Sequence, residues 1–205
     1  MKQLNQVWVH HMGILLLVTA MISCATIHHL NVEYRLPPQS EELNGKKVVL
    51  VFEDKRVFKD IFGQGAQKDF ENFSGNISCS LARGKEKGFL IGLYKIPSLF
   101  LEVFKLRLEN LGVEIVSEGE KDETAIVIEL KDLILDLIDR KWVVTMEYEV
   151  RLVKDQKVLA RQTISGQGER LKLLGRDQAD AVMGEIFTDM VNRLNVARLF
   201  QQASQ

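Results

Sequence analysis

Residues 143–152 read Val-Val-Thr-Met-Glu-Tyr-Glu-Val-Arg-Leu, and their alternation decides the fold class. Val144, Met146, Tyr148, Val150 and Leu152 fall on one side of an extended chain. Val143, Thr145, Glu147, Glu149 and Arg151 fall on the other. Successive side chains of a strand point to opposite faces. The stretch is therefore a strand with one core face and one mostly wet face, the habit of antiparallel sheets. Upstream, Ile126, Ile128 and Leu130 share one parity, while Leu133, Leu135 and Leu137 share the other. A strand cannot change parity without an irregularity, so a bulge is expected near Lys131-Asp132. Asp139-Arg140 and Asp155-Gln156 read as tight turns on either side of the central strand, and Val158–Gln167 as the next strand, ending in Gly166-x-Gly168.

Working outward, Lys46–Phe52 is a short apolar run bounded by charge and reads as a buried strand. Residues 57–76 form a long loop or irregular helix, in which Gly63-x-Gly65 is too short for a phosphate-binding fingerprint. Ile77–Leu81 is a strand, Arg83–Gly88 a polar turn and Phe89–Tyr94 a returning strand. Ile96-Pro97-Ser98 opens an amphipathic helix over 98–111, closed by Gly112 in a left-handed cap. Val113–Val116 is short and apolar, and Glu118–Glu123 is a charged turn. A last helix runs from an Asp177 N-cap to about residue 200, with Asp180 in its first turn. Its core stripe is Ala179, Val182, Met183, Ile186, Phe187, Met190, Val191 and Leu194. The expected fold is α+β. One antiparallel sheet of five or six strands carries the helices 98–111 and 177–200 on one face, in a single domain over 45–205.

Two local features have more than one reading. Phe89–Tyr94 lacks polar residues at alternate positions. Either it is a strand covered on both faces, or it is an exposed edge that docks a partner or a second copy. Asp54 and Arg56 lie two apart on one strand face and are expected to form a surface pair at the strand end.

Composition narrows the chemistry. The formal net charge is −1 and no basic run suggests nucleic acid. The four histidines are His10, His11, His28 and His29, so the domain 45–205 has none. That excludes a Ser-His-Asp triad, a Cys-His pair and a histidine metal site within it. His28 and His29 read as a linker pair, not metal ligands. Asp132, Asp136 and Asp139 are the nearest approach to a carboxylate cluster. On one strand Asp132 and Asp136 stand about 13 Å apart, beyond the roughly 5–9.5 Å of a glycosidase pair. They read as solvated strand positions. No catalytic residue, cofactor or metal is expected, and the chain reads as a non-enzyme.

The first 24 residues address the protein. Lys2 precedes the apolar run Met12–Ala20, and then come Met21-Ile22-Ser23-Cys24. The apolar run is about half the ~20 residues of a membrane-spanning helix. Ala20-Met21-Ile22 is a poor version of an ordinary secretory cleavage site. The stretch resembles the lipobox of a bacterial lipoprotein. The resemblance implies a signal peptide over 1–23, cleavage before Cys24, and lipid on the sulfur and new amino group of Cys24. Ala25 in place of Asp implies the outer membrane, with the domain facing the periplasm. Residues 24–44, with Pro37-Pro38, then read as lipidated cysteine and extended tether. Cys79 is left without a partner in the chain and is expected to be buried and inert.

The mature chain resembles the YajG-type lipoprotein family. The shared features are the lipobox, an early strand Val49-x-Val51 ending in Asp54-x-Arg56, and a helix closing Leu108-Glu109-Asn110-Leu111-Gly112. That resemblance implies no enzymatic activity and no functional residue beyond Cys24. Tyr94-x-x-Pro97 also resembles the helix start of auxiliary lipoproteins of ABC-type lipid transport systems. Two functions follow as expectations. One is a non-enzymatic envelope protein that binds or scaffolds another envelope component. The other is a lipid-handling accessory subunit with an apolar, lipid-sized cleft between sheet and helices.

Overall fold

A computed structural model describes residues 28–117 and 124–204. Cys24, the expected signal segment and the stretch 118–123, expected to be a turn, lie outside the described residues. In chain order the elements are β1 (His28–Leu36), β2 (Lys47–Asp54), a 3-10 turn (Gln67–Phe70), β3 (Phe73–Arg83), β4 (Phe89–Tyr94), α1 (Ile96–Glu109), β5 (Glu114–Ile115), β6 (Thr124–Ile138), β7 (Lys141–Lys154), β8 (Lys157–Leu171), α2 (Asp177–Arg193) and α3 (Val196–Gln202).

The alternating stretch is the middle of β7, paired antiparallel with β6 and with β8. Trp142, Val144, Met146, Tyr148, Val150 and Leu152 are all buried. Both tight turns have two consecutive residues at positive φ: Asp139 and Arg140 at 47° and 63°, Asp155 and Gln156 at 51° and 62°. That backbone matches the twist of the flanking strands in a two-residue hairpin. The register of β6 slips between Leu130 and Asp132, so Lys131 is the extra residue of the expected bulge.

A single antiparallel sheet is not what forms. There are two sheets, ordered β5-β2-β6-β7-β8 and β1-β3-β4. The pairs β2/β5, β2/β6 and β1/β3 are parallel. Both helices do meet the Tyr148 face of the larger sheet, since the Tyr148 ring touches Phe104 of α1 and its hydroxyl donates to the Met190 carbonyl of α2, but each also packs against the smaller sheet. Helix α1 lies between the sheets, touching β2 and β5 of the larger and β1, β3 and β4 of the smaller. Helix α2 packs on β7 and β8 and along β1. Phe100 of α1 meets Phe52 of β2 and Phe187 of α2, and Phe104 meets Tyr148. The space between sheets and helices is thus closed by rings, each stabilising the fold by roughly 1.5–3 kcal/mol on burial. The last helix is also broken. Leu194 turns extended, and Asn195 caps α3 by accepting from the Arg198 amide at 2.9 Å.

The expected tether is largely part of the fold. Leu30, Val32, Tyr34 and Leu36 are buried and alternate with the outward Asn31, Glu33 and Arg35. Pro37-Pro38 ends the strand, because proline has no amide to donate. Asn110, at the end of α1, donates through Nδ2 to the carbonyls of Pro37 and Pro38, both at 3.2 Å. Ser40 and Leu43 donate to the carbonyls of Asn110 and Leu111.

The free edge of β1 is closed by one stripe of α2, residues 180, 184, 188 and 192. Asp180 accepts from the Asn31 amide at 3.1 Å and from Asn31 Nδ2 at 2.8 Å. The Thr188 hydroxyl accepts from the Arg35 amide and donates to the Glu33 carbonyl, both at 3.1 Å. Asn192 donates to the Arg35 carbonyl at 3.0 Å and accepts from the Tyr34 hydroxyl at 3.0 Å. Gly184 sits at the closest approach, where a Cβ would stand 3.1 Å from the Glu33 nitrogen. On the other side Gly166 and Gly168 of β8 leave room for Met190 and Ile186. Thr188→Val keeps the shape but removes both bonds. It is expected to cost about 1–2 kcal/mol in urea unfolding. An unchanged midpoint would mean that the clasp contributes nothing.

Candidate functional site

The outer face of the small sheet carries the candidate site. Its floor is Asn31, Glu33 and Arg35 of β1 with Ser80 of β3, and α2 forms one wall. Together with Lys87 and Gly88 of the β3–β4 hairpin they line an open cleft of about 840 Å³. Arg35 donates to the Gly84 carbonyl at 2.6 Å, and Glu33 accepts from the Gly88 amide at 3.3 Å. These bonds hold the hairpin over the sheet. Burial pushes the Asp180 carboxyl above its ordinary range, opposed by the hydrogen bonds from Asn31. Most of the lining residues carry polar side chains, with acids Glu33, Asp180, Glu185 and Asp189 against the bases Arg35 and Lys87. Charged groups of both signs line this cleft, whereas a lipid carrier needs an apolar, lipid-sized one.

Strand β4 borders this face on the far side of β3 and is the other edge of the sheet. Phe89, Leu90 and Leu93 are 61 %, 62 % and 54 % exposed. Leu93 stands opposite Ser78 and Leu90 opposite Ser80, so both leucines point outward. A register shift after Cys79 leaves Ile91 as the extra residue. Of the two readings of Phe89–Tyr94, the strand covered on both faces is therefore overturned, and the exposed edge is what the fold presents. Further apolar exposure occurs at Val57 and Phe58, after β2, at Leu171, the last residue of β8, and at Leu173 and Leu174 just beyond it.

The other candidate residues have structural employment. The Asp54–Arg56 pair forms, but not on the surface. Arg56 donates through Nε and Nη2 to Asp54 at 3.0 and 2.9 Å, and its side chain is only 4 % exposed. The Arg56 amide and Lys59 also donate to Asp54. Burial raises the Asp54 carboxyl, yet these bonds outweigh it and hold the pKa at about 2. Asp132 accepts from the Thr145 hydroxyl at 2.9 Å. Asp136 takes the amides of Gly65 and Ala66 at 2.8 and 3.1 Å, anchoring the loop that holds Gly63-x-Gly65. Asp139 occupies the hairpin turn. The three carboxylates do not form one site. His29 Nδ1 lies 3.0 Å from the Ser74 hydroxyl. Cys79 is buried, and burial first, then the Glu102 charge, pushes its thiol up to about 12. Among the described residues no group of three or more His, Cys, Asp or Glu side chains is placed to hold a metal.

Sequence reasoning did not find the 180-184-188-192 stripe. Its signal was present: four small or polar residues, one per turn, flanking the apolar stripe of the last helix.

No protein-family model and no curated protein matches the sequence. Among solved structures, one similar fold is a protein from Xanthomonas campestris of the DUF330 family. It has a TM-score of 0.53 and 16% identity, and the match covers 87% of this chain and 99% of that one. A neuraminyllactose-binding hemagglutinin homologue from Helicobacter pylori aligns with a TM-score of 0.37 and 12% identity, over 81% of this chain and 95% of its own. The first likeness shows a shared fold.

Two predictions follow from this geometry. Leu90→Asp and Leu93→Asp are expected to leave stability within about 0.5 kcal/mol of the parent. Leu81→Asp, buried in the neighbouring β3, should cost several kcal/mol. Thermal melts of the three variants decide whether β4 is surface or core. Asp54→Asn should destabilise by about 2 kcal/mol at neutral pH, from a pKa held below its unfolded 3.8. The Asp54 contribution is fully present above pH 4 and is lost as pH falls through 2. The gap between variant and parent in unfolding free energy should therefore narrow over that window. A gap independent of pH would sink the assignment.

Proposed function

We propose that the protein is a lipid-anchored bacterial lipoprotein that does no chemistry of its own and binds or scaffolds another component of the cell envelope. The observation that carries the reading is the exposed apolar edge β4, bordering a polar cleft whose walls are tied in place by hydrogen bonds. A strand with one open edge and leucines on its outer face offers main-chain bonds for affinity and side chains for selection. The anchor rests on Met21-Ile22-Ser23-Cys24 after an apolar run, and Ala25 supports the outer membrane with the domain in the periplasm. The partner is then a protein of the envelope, and nucleic acid is not among the ligands.

A second reading, an auxiliary lipoprotein of an ABC-type lipid transport system, is supported by Tyr94-x-x-Pro97. Here Tyr94 ends β4 and Pro97 lies in the first turn of α1. With the interior filled by rings, such a subunit would act by docking on the transporter and not by carrying lipid inside itself.

Cys24→Ser is expected to abolish palmitate labelling and leave the precursor uncleaved. Label that persists, or a mature N-terminus elsewhere, would refute the anchor. A photo-crosslinking residue at Leu93 in growing cells should capture one envelope protein, and Leu90→Asp should abolish that product. Capture that is diffuse, or unchanged by Leu90→Asp, would refute the edge.

A further inference from the structure

The chain enters the described structure at a recognisable end of the molecule. His28 pairs with Phe73. The Phe73 ring meets Phe62, Phe62 stacks on Phe70 at 4.2 Å, and Phe70 meets Trp142. Trp142 is the second residue of β7, beside the Asp139-Arg140 turn, and the Lys172 amide donates to the Arg140 carbonyl at 2.8 Å. Lys172 pairs with Asp69 at 2.7 Å, next to Phe70. The β6–β7 turn, the loop after β8 and the start of β1 therefore share one end.

This end is apolar where it meets solvent. Leu174 is 93 % exposed and Leu173 63 %, at the tip of the loop between Lys172 and Arg176. Ile138 and Leu171 stand opposite the two sides of Lys141 and are also exposed. None of the four fills a gap in the fold.

Cys24 precedes His28 by four residues, which span at most about 14 Å fully extended. Because residues 28–36 form β1, no long tether remains between the cysteine and the domain. We infer that this end lies on the membrane that holds the Cys24 lipids, with Leu173 and Leu174 inserted among the headgroups and Ile138 and Leu171 at the rim. The inference rests on the lipoprotein reading proposed above. Apolar side chains at such depth sit in the outer few ångströms of the bilayer and add to the hold of the lipid chains. The mixed charges here, Arg140, Lys141 and Lys172 with Asp69, Asp139 and Asp177, make the contact chiefly hydrophobic and indifferent to anionic lipid.

The test uses the full chain, processed in cells, purified in detergent and reconstituted into phosphatidylethanolamine–phosphatidylglycerol vesicles. Mass spectrometry first establishes whether Cys24 carries lipid. Asp177→Cys, three residues from Leu174, and Gln156→Cys, in the turn at the far end of β7, each receive a bimane label, Cys79 being buried. The expected result is quenching of the 177 label by lipids spin-labelled near the headgroup, no quenching of the 156 label, and loss of quenching at 177 in Leu173→Ser/Leu174→Ser. Lipid on Cys24 with an unquenched 177 label overturns the docking and leaves the anchor standing. Quenching that survives the double serine change overturns the role of the leucines. A 177 label shielded from water but not quenched, in protein that runs as an oligomer, assigns the face to a second copy. Absence of lipid on Cys24 overturns the anchor, and the docking with it.

Discussion

The architecture depends on how the free edge of β1 is satisfied. A strand at the edge of a sheet presents unpaired amides and carbonyls, and each one left dry and unbonded works against folding. Here Asp180, Thr188 and Asn192 supply the missing partners from a helix. Gly184 lets the helix backbone come close enough for their short side chains to reach. The opposite flank of the same helix carries Ile186, Phe187 and Met190 into the core of the large sheet. One helix therefore joins two sheets by two kinds of force, directional bonds on one side and apolar burial on the other. The polar cleft is a consequence, because a wall of charged α2 residues must rise beside the sheet it clasps.

The long meander was legible because its information is local. Period-two alternation, a parity switch at Lys131 and two turn dipeptides define β6, β7 and β8 without reference to distant residues. The parallel pairs were not legible. Residues Val49–Asp54 pair with Ala125–Leu130, 76 positions away, and an apolar run does not state which strand it will join. The segment 28–36 was missed for a different reason. Its alternation of Leu30, Val32, Tyr34 and Leu36 is as regular as that of β7. The nearby segment resembling a lipobox, together with Pro37-Pro38, made a tether the natural reading, although prolines end a strand as readily as they stiffen a linker. The break at Asn195 was hidden because apolar spacing continues through it, while the cap depends on one asparagine.

At the candidate site the sequence showed what is absent more clearly than what is present. The missing histidines followed from counting. The importance of Phe89–Tyr94 was visible, but its exposure was not, since a run without polar residues fits a strand covered twice or one left open at an edge. What decides is that β3 has β1 on its other side, so among the described residues β4 has only one neighbour. That is a fact of topology and depends on the strand misread as a tether. Likewise Asp54 and Arg56 were found as a pair, whereas the burial of Arg56 comes from the chain folding over it, which two residues cannot announce.

An exposed apolar edge threatens a protein with indiscriminate pairing, and β4 carries features that restrain it. It has six residues, which limits the ladder it can offer. Its register breaks at Ile91, and the Tyr94 hydroxyl donates to the Ile91 carbonyl at 3.2 Å, occupying one backbone acceptor near the break. A bulge bends and twists a strand, so a second flat strand cannot continue along it. Lys87 and Lys95 lie just outside its two ends. Any strand added to this edge would have to fit a short, kinked ladder flanked by lysines, and would reach Leu90 and Leu93 on the outer face only. Those restraints are what a short exposed edge needs to stay unpaired with copies of itself, and the docking proposed above would have to work within them.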